Sequence, residues 1–293
     1  MLCRMSSETT SSTVVWPSAE DGTDWAVSIN VGLGPGATAQ RQAAMSAWAA
    51  GARSATRPAL VFAQEVTTAW VEDWKEDGYQ AVYGVSKDWK IKSALLVRDG
   101  LFVTPLTEHE FPVLGYHGDY VAAVRWHSPE GEVLIASVHA SPRQAQLDLY
   151  AWPAESVAPR YGGGDVRYPG GRLWDSDLLL ATLKILGEHG ALIVAGDFNE
   201  ARDFDFVEGS PVGTWGREYF ERASQFGLTS HTWERWQQTE RPTRGTLQLD
   251  HVLHNERARP LLNGPEPQLD PAWQLAGHEF SDHMALWFPL LTA

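Results

Sequence analysis

Acid, amide and imidazole side chains recur at the ends of apolar runs in this 293-residue chain. Asn30 closes WAVSIN (25–30), Gln64 and Glu65 close ALVFAQE (59–65), His139 follows LIASV, and Asp197 and Asn199 follow LIVAG. Asp250 and His251 interrupt LQLDHVL (247–253), and Ser281-Asp282-His283 stands just before MALWFPLL (284–291). Taken singly, each has an ordinary structural reading. Asp after Gly forms turns and caps, Asn before Val-Gly starts a turn, and a strand histidine is more often a satisfied core or edge residue than a ligand. Taken together, Glu65, Asp197, Asp250 and Asp282 supply four carboxylates, and His139 and His283 two imidazoles, at strand ends that can converge. Buried charge at that density needs a metal or mutual pairing.

The chemistry that uses these parts is transfer of a phosphoryl group to water. Glu65, with Asn30 and Asp282, offers the hard oxygen donors suited to Mg²⁺ or Mn²⁺, cations that keep several waters and also bind substrate phosphate. Metal and imidazolium offset charge developing on the phosphoryl and leaving oxygens. In Asp197-Phe198-Asn199 the acid accepts the proton of an attacking water and the amide orients it. Phe198, pointing the other way on an extended backbone, is expected to anchor the loop in the core.

These residues need strands to carry them. Behind Asn30 and Glu65 the pattern predicts strand–helix–strand–helix, with helices near 38–50 and 67–75. SALLVRD (93–99), YVAAVRW (120–126) and EVLIASVHA (132–140) read as antiparallel strands, the last two joined through HSPEGE as a hairpin. RLWDSDLLLATLKILGEHG (172–190) has helical spacing and a terminal glycine, and a further helix is expected around 214–226. No composition break or repeat divides residues 24–293, so we expect one α/β domain built on two packed sheets. Residues 1–23, Ser/Thr-rich and without periodicity, are expected to form a disordered leader.

Composition narrows the class. With 43% hydrophobic residues the chain can bury a large core, and no window has the apolar length of a membrane span. A cytoplasmic monomer without stable membrane insertion is the expectation. The single cysteine, Cys3, leaves neither a disulfide framework nor a thiolate metal site. A net charge of −14 argues against a general coating of nucleic acid, although cations held on carboxylates or a local basic rim offset repulsion at one cleft. The fourteen tryptophans are scattered, which fits core filling better than a base-stacking platform.

The ordered set Asn30, Gln64-Glu65, Val138-His139-Ala140, Gly196-Asp197-Phe198-Asn199, Leu249-Asp250-His251 and Ser281-Asp282-His283 resembles the endonuclease/exonuclease/phosphatase superfamily over about residues 25–290. The resemblance implies a deoxyribonuclease I-like, four-layer α/β (α+β) sandwich of two mainly antiparallel mixed sheets flanked by helices. It implies metal ligation by Asn30, Glu65 and Asp282, phosphate contact by His139, water handling by Asp197 and Asn199, and a His283–Asp250 dyad. The carboxylate of such a dyad fixes the ring tautomer and favours imidazolium facing phosphate.

Departures from the family pattern raise further candidates. Lys87, Lys90 and Lys92 stand where relatives place a Tyr, His or Arg, and we name Lys90 and Lys92 as substrate contacts, against the ordinary reading of solvated surface lysines. Gly118-Asp119-Tyr120 replaces an arginine found in some nucleases. The glycine-rich segment 141–172 carries Arg143 and Arg167, candidates for the basic rim that the acidic whole lacks, unless the segment is a variable surface loop. The expected activity is a Mg²⁺- or Mn²⁺-dependent, nuclease-like phosphodiesterase. The alternatives are hydrolysis of a small phosphorylated metabolite or lipid and a non-catalytic binding protein on the same fold.

Overall fold

Two six-stranded sheets lie face to face in the computed structural model, which describes residues 16–17, 24–33, 37–84, 92–128, 130–141, 175–202, 215–270 and 283–292. The first sheet contains β1 (Asp24–Asn30), β2 (Leu60–Val66), β3 (Tyr79–Tyr83), β4 (Lys92–Arg98), β11 (Gln268–Asp270) and β12 (Ala285–Leu290), in the order β11-β12-β1-β2-β4-β3. The second contains β5 (Val103–Pro105), β6 (Val121–Ser128), β7 (Gly131–His139), β8 (Ala191–Asp197), β9 (Leu228–Ser230) and β10 (Asp250–Asn255), in the order β5-β6-β7-β8-β10-β9. Among the described residues only β1/β2 and β7/β8 are parallel, so the sheets are mixed and mainly antiparallel, as expected.

Each sheet is covered on both faces, which is why its strands read as continuous apolar runs rather than alternations. Between the sheets Phe62, Leu95, Val124, Ile135, Ile193, Val252 and Phe288 form one core. On the outer side of the first sheet lie α1 (Ala39–Ala55) and α2 (Thr68–Glu76), packed through Trp48, Trp70 and Trp74. On the outer side of the second lie α3 (Asp175–His189) and α4 (Trp215–Gln225), packed through Leu179, Leu183, Tyr219 and Phe220. Four layers result. The short α5 (His231–Arg235) follows β9.

Three expectations change. The helix expected over 172–190 is described from Asp175 to His189 and is buried at every position from Asp175 to Thr182, because its first turns press into the second sheet's outer layer rather than lying along a surface. Leu247 to Leu249 precede β10 instead of belonging to it, since Arg244 and Leu247 close a small turn of their own. Within the expected leader, Trp16 and Pro17 are ordered: Trp16 packs on Trp48 and Trp287, with ring centroids 6.1 and 6.0 Å away. Gly51 makes room for that indole, since a Cβ there would lie 2.7 Å from its ring. Short strands β3, β5, β9 and β11 carried too few residues to register as periodic segments.

Candidate active site

Side-chain parity aligns the polar residues. Along a strand, alternate residues face the same side, and the inner face that carries Ile135, Ile193 and Val252 therefore continues to His139, Asp197 and Asp250. The register puts these three in one row, His139 opposite Asp197 and Asp197 opposite Asp250. Asn30 occupies the matching inner position on β1, paired with Gln64 on β2. One step deeper, Gln64 Nε2 donates to Ser137 Oγ at 3.2 Å and ties the sheets together under the row.

Glu65 reaches this group through a backbone irregularity. Regular alternation would send it to the α1/α2 side, where Ala63 and Val66 pack. A register shift between Ala63 and Val66, with Glu65 at a φ of 52°, swings it inward instead. A bulge that re-aims one side chain commonly sits beside a functional cleft, and a non-glycine left-handed residue costs on the order of 1 kcal/mol or more.

Asp197 Oδ2 is the hub. It lies 3.0 Å from Asn30 Nδ2, 3.6 Å from His283 Nε2 and 3.8 Å from His139 Nε2. Its other oxygen accepts the Asn199 backbone N–H at 2.9 Å, a short-range turn that holds the carboxylate still. Asn30 Nδ2 also donates to Glu65 Oε1 at 3.2 Å, while its oxygen accepts from Gly32 N–H at 3.0 Å. His139 Nε2 is 3.7 Å from Glu65 Oε1. The Nδ1–H of His283 donates to Asp250 Oδ2 at 2.8 Å, the expected dyad. Burial pushes the Asp250 carboxyl above the ordinary range, and the His283 contact opposes that rise.

The cluster opens on one side. Asp197 and His283 side chains are almost wholly covered at 2% and 3% exposure, whereas Glu65 retains 29%. Three carboxylates facing two imidazoles leave a net negative corner even with both rings protonated, and Glu65 is its most accessible acid. Hard carboxylate oxygens suit Mg²⁺ or Mn²⁺ and waters complete such a shell, so the donor set fits. Among the described residues no three His, Cys, Asp or Glu side chains are disposed as a ready-made metal cluster. Asp282, the remaining acidic candidate, lies outside them, as do Lys90, Arg143 and Arg167. Lys92 is described, but its ammonium sits over the Tyr83 ring at 5.5 Å rather than in the cluster.

Gly196 is needed for closeness rather than for a turn. Its φ is 154°, and a Cβ there would lie 1.9 Å from the Val138 carbonyl oxygen. Asn199, at a φ of 49°, donates its side-chain N–H to Ala140 O at 2.7 Å and so clamps the chain that follows His139. Phe198 is fully buried on the outer side, as expected, and His251 packs beside it with its Nε2 near Glu200 O and Gln248 O.

Two neighbours received no role in the sequence reading. Tyr120 meets the His139 ring edge-on at 5.6 Å, and Asp175 accepts the Ser141 backbone N–H at 2.8 Å, two residues beyond His139. Burial raises the Asp175 pKa, opposed by the Ser141 N–H and by His139. Tyr120 was noted only as part of the segment that replaces an arginine of some nucleases, and Asp175 opens a helix far along the chain, so its spacing did not point to the site.

A four-layer sandwich with this carboxylate–imidazole row at one end of its two sheets defines a phosphoester hydrolase of the deoxyribonuclease I-like class. The chain belongs to the endonuclease/exonuclease/phosphatase family, whose model matches residues 27–283. The endonuclease domain of TRAS1, a telomere-specific non-LTR retrotransposon, is 16% identical, covering 92% of this chain and 99% of that one with a TM-score of 0.57. A 3'-5' exonuclease (NExo) from Neisseria meningitidis is 16% identical, covering 90% and 98%, with a TM-score of 0.59. TDP2 from D. rerio, solved with a single-strand DNA product, is 17% identical, covering 92% and 99%, with a TM-score of 0.53. At such identities the likeness carries the fold. No curated protein matches the sequence significantly. No helix among the described residues is long and apolar enough to cross a membrane.

Proposed function

We propose that the protein is a divalent-metal-dependent, nuclease-like phosphodiesterase acting on a nucleic acid, with the row at the sheet ends as its active site. The observation that carries this reading is the convergence of Asn30, His139 and His283 within 3.8 Å of Asp197 Oδ2. An attacking water against that oxygen gives its proton to Asp197, while the Asn199 side-chain oxygen orients it. Asn30 holds the Asp197 and Glu65 carboxylates apart by donating to both, which keeps Asp197 aimed and limits their repulsion. His139, at the open side, donates to a phosphate oxygen. His283, fixed in one tautomer by Asp250, presents Nε2 to the phosphoryl group and stabilises its growing charge. Glu65 and Asp282 would hold Mg²⁺ or Mn²⁺, with Asn30 alongside, and the cation supplies Lewis-acid neutralisation of phosphate charge.

Nucleic acid is favoured because solved neighbours of this fold include an endonuclease domain, an exonuclease and a protein holding a single-strand DNA product. The net charge of −14 supports a second reading, a small phosphorylated molecule or a strand end in place of long duplex. Lys90, Lys92, Arg143 and Arg167 are the proposed substrate contacts, and a cytoplasmic monomer remains part of the proposal. Purified protein with Mg²⁺ or Mn²⁺ is to be tested on single- and double-stranded DNA, RNA and small phosphate esters, with Asp197→Asn as control. Cleavage of a nucleic acid that disappears in the control supports the reading. Cleavage confined to small esters selects the second, and equal turnover by the control removes Asp197 from the mechanism.

A further inference from the structure

A second concave site lies away from the catalytic row. A cavity of about 600 Å³ is lined by His231, Trp233, Gln237, Gln238, Arg259 and Asn263, among others. That volume falls within the range of small-molecule sites. His231 packs on His254 with ring centroids 5.8 Å apart, and His254 lies four residues along β10 from Asp250. At the rise of a strand that separates the two places by ~13 Å.

The lining is poised for hydrogen bonding and is little used by the fold. His231 is 4% exposed, and its Nε2 is buried without a hydrogen-bond partner among the described residues. The side chains of Gln237, Gln238 and Asn263 are exposed, so their amides are open to a ligand from the cavity. Gln237 and Gln238 are successive non-glycine residues at φ values of 55° and 61°. Strain of that kind concentrates at ligand clamps.

The charges on the wall are already partly neutralised. Arg259 is held by Glu234 and Glu256, each at 3.0 Å, and Arg235 donates to the Gly264 carbonyl at 2.6 Å. Burial, with His254, Arg235 and Arg259 nearby, lowers the His231 pKa to about 3, so its ring is neutral at physiological pH. A highly charged ligand is therefore disfavoured. Three amides, each pairing a donor with an acceptor, a neutral imidazole and the Trp233 indole match a planar heterocycle whose edge alternates donor and acceptor.

We propose that this cavity binds a nucleobase, either of a free nucleoside or of an unpaired residue in a single strand. The amides read the base edge, with the His231 ring in the wall behind them. The site is independent of the hydrolase reading, since binding is measured without turnover.

The test is calorimetric titration of the full chain, in chelator, with adenosine, guanosine, cytidine and uridine, followed by displacement with a short single-stranded oligonucleotide. At least one nucleoside is expected to bind one-to-one at millimolar affinity or better. Gln237→Gly, which relieves the backbone strain while removing the amide, and Asn263→Ala are each expected to weaken binding about five- to tenfold. Displacement by the oligonucleotide assigns the site to a base within a strand, and failure to displace assigns it to a free nucleoside. Absence of saturable binding by all four nucleosides, or unchanged affinity in both variants with native circular dichroism, overturns the proposal.

Discussion

His283 and Asp250 form a buried pair in which the ring Nδ1 lies 2.8 Å from the carboxylate and the opposite nitrogen lies 3.6 Å from Asp197. One residue precedes β12 and the other begins β10, so the pair joins the two sheets beside Asp197. Its geometry makes the ring a fixed, directional group. Asp250→Asn is expected to lower kcat by about 10²- to 10⁴-fold, with His283→Gln comparable. Because the two act as a unit, the double variant should lose little more than either single one. Steady-state kinetics on the substrate identified by screening checks this, and additive losses would separate the residues.

Glu65→Gln preserves shape and removes the accessible negative charge. The metal concentration that gives half-maximal activity is expected to rise about tenfold or more. A Mg²⁺ titration of activity reads the shift, and an unchanged half-point would show that Glu65 holds no metal.

Gly196→Ala places a methyl 1.9 Å from the Val138 carbonyl, at a φ only glycine adopts easily. Backbone cannot yield as a flexible side chain can, so the β7/β8 pair must part. A loss of about 3 kcal/mol or more is expected from strain and broken pairing. The shift in denaturant midpoint measures it, and a change below 1 kcal/mol would contradict the close approach.

Stability should fall on mild acidification. Burial lowers the pKa of His117 and His251 to about 4 and of His231 to about 3. Unfolded histidine titrates near 6.5, so above about pH 6.5 neither state takes up the proton and stability is complete. Below it the unfolded chain binds protons that the folded protein refuses, and stability drains as pH falls towards 4. Thermal midpoints taken from pH 7.5 to 4.5 are expected to drop most steeply below about pH 6.5. A flat profile would mean that these rings are not held neutral.

The sequence by itself determined the parts. The apolar runs that end at Asn30, Glu65, His139 and Asp197 read as buried strands, and the recurrence of polar residues at their last positions pointed to something other than core. The order of the motifs gave the family and the His283–Asp250 dyad. Tertiary structure decided the aim of each group. Which strands are neighbours, and hence that His139, Asp197 and Asp250 share one row, depends on non-local pairing that no local periodicity encodes. The inward turn of Glu65 comes from a bulge, and the reason for Gly196 is the nearness of Val138. Tyr120 and Asp175 enter the site only because strand and helix starts remote in sequence are brought against His139, a juxtaposition that packing alone fixes.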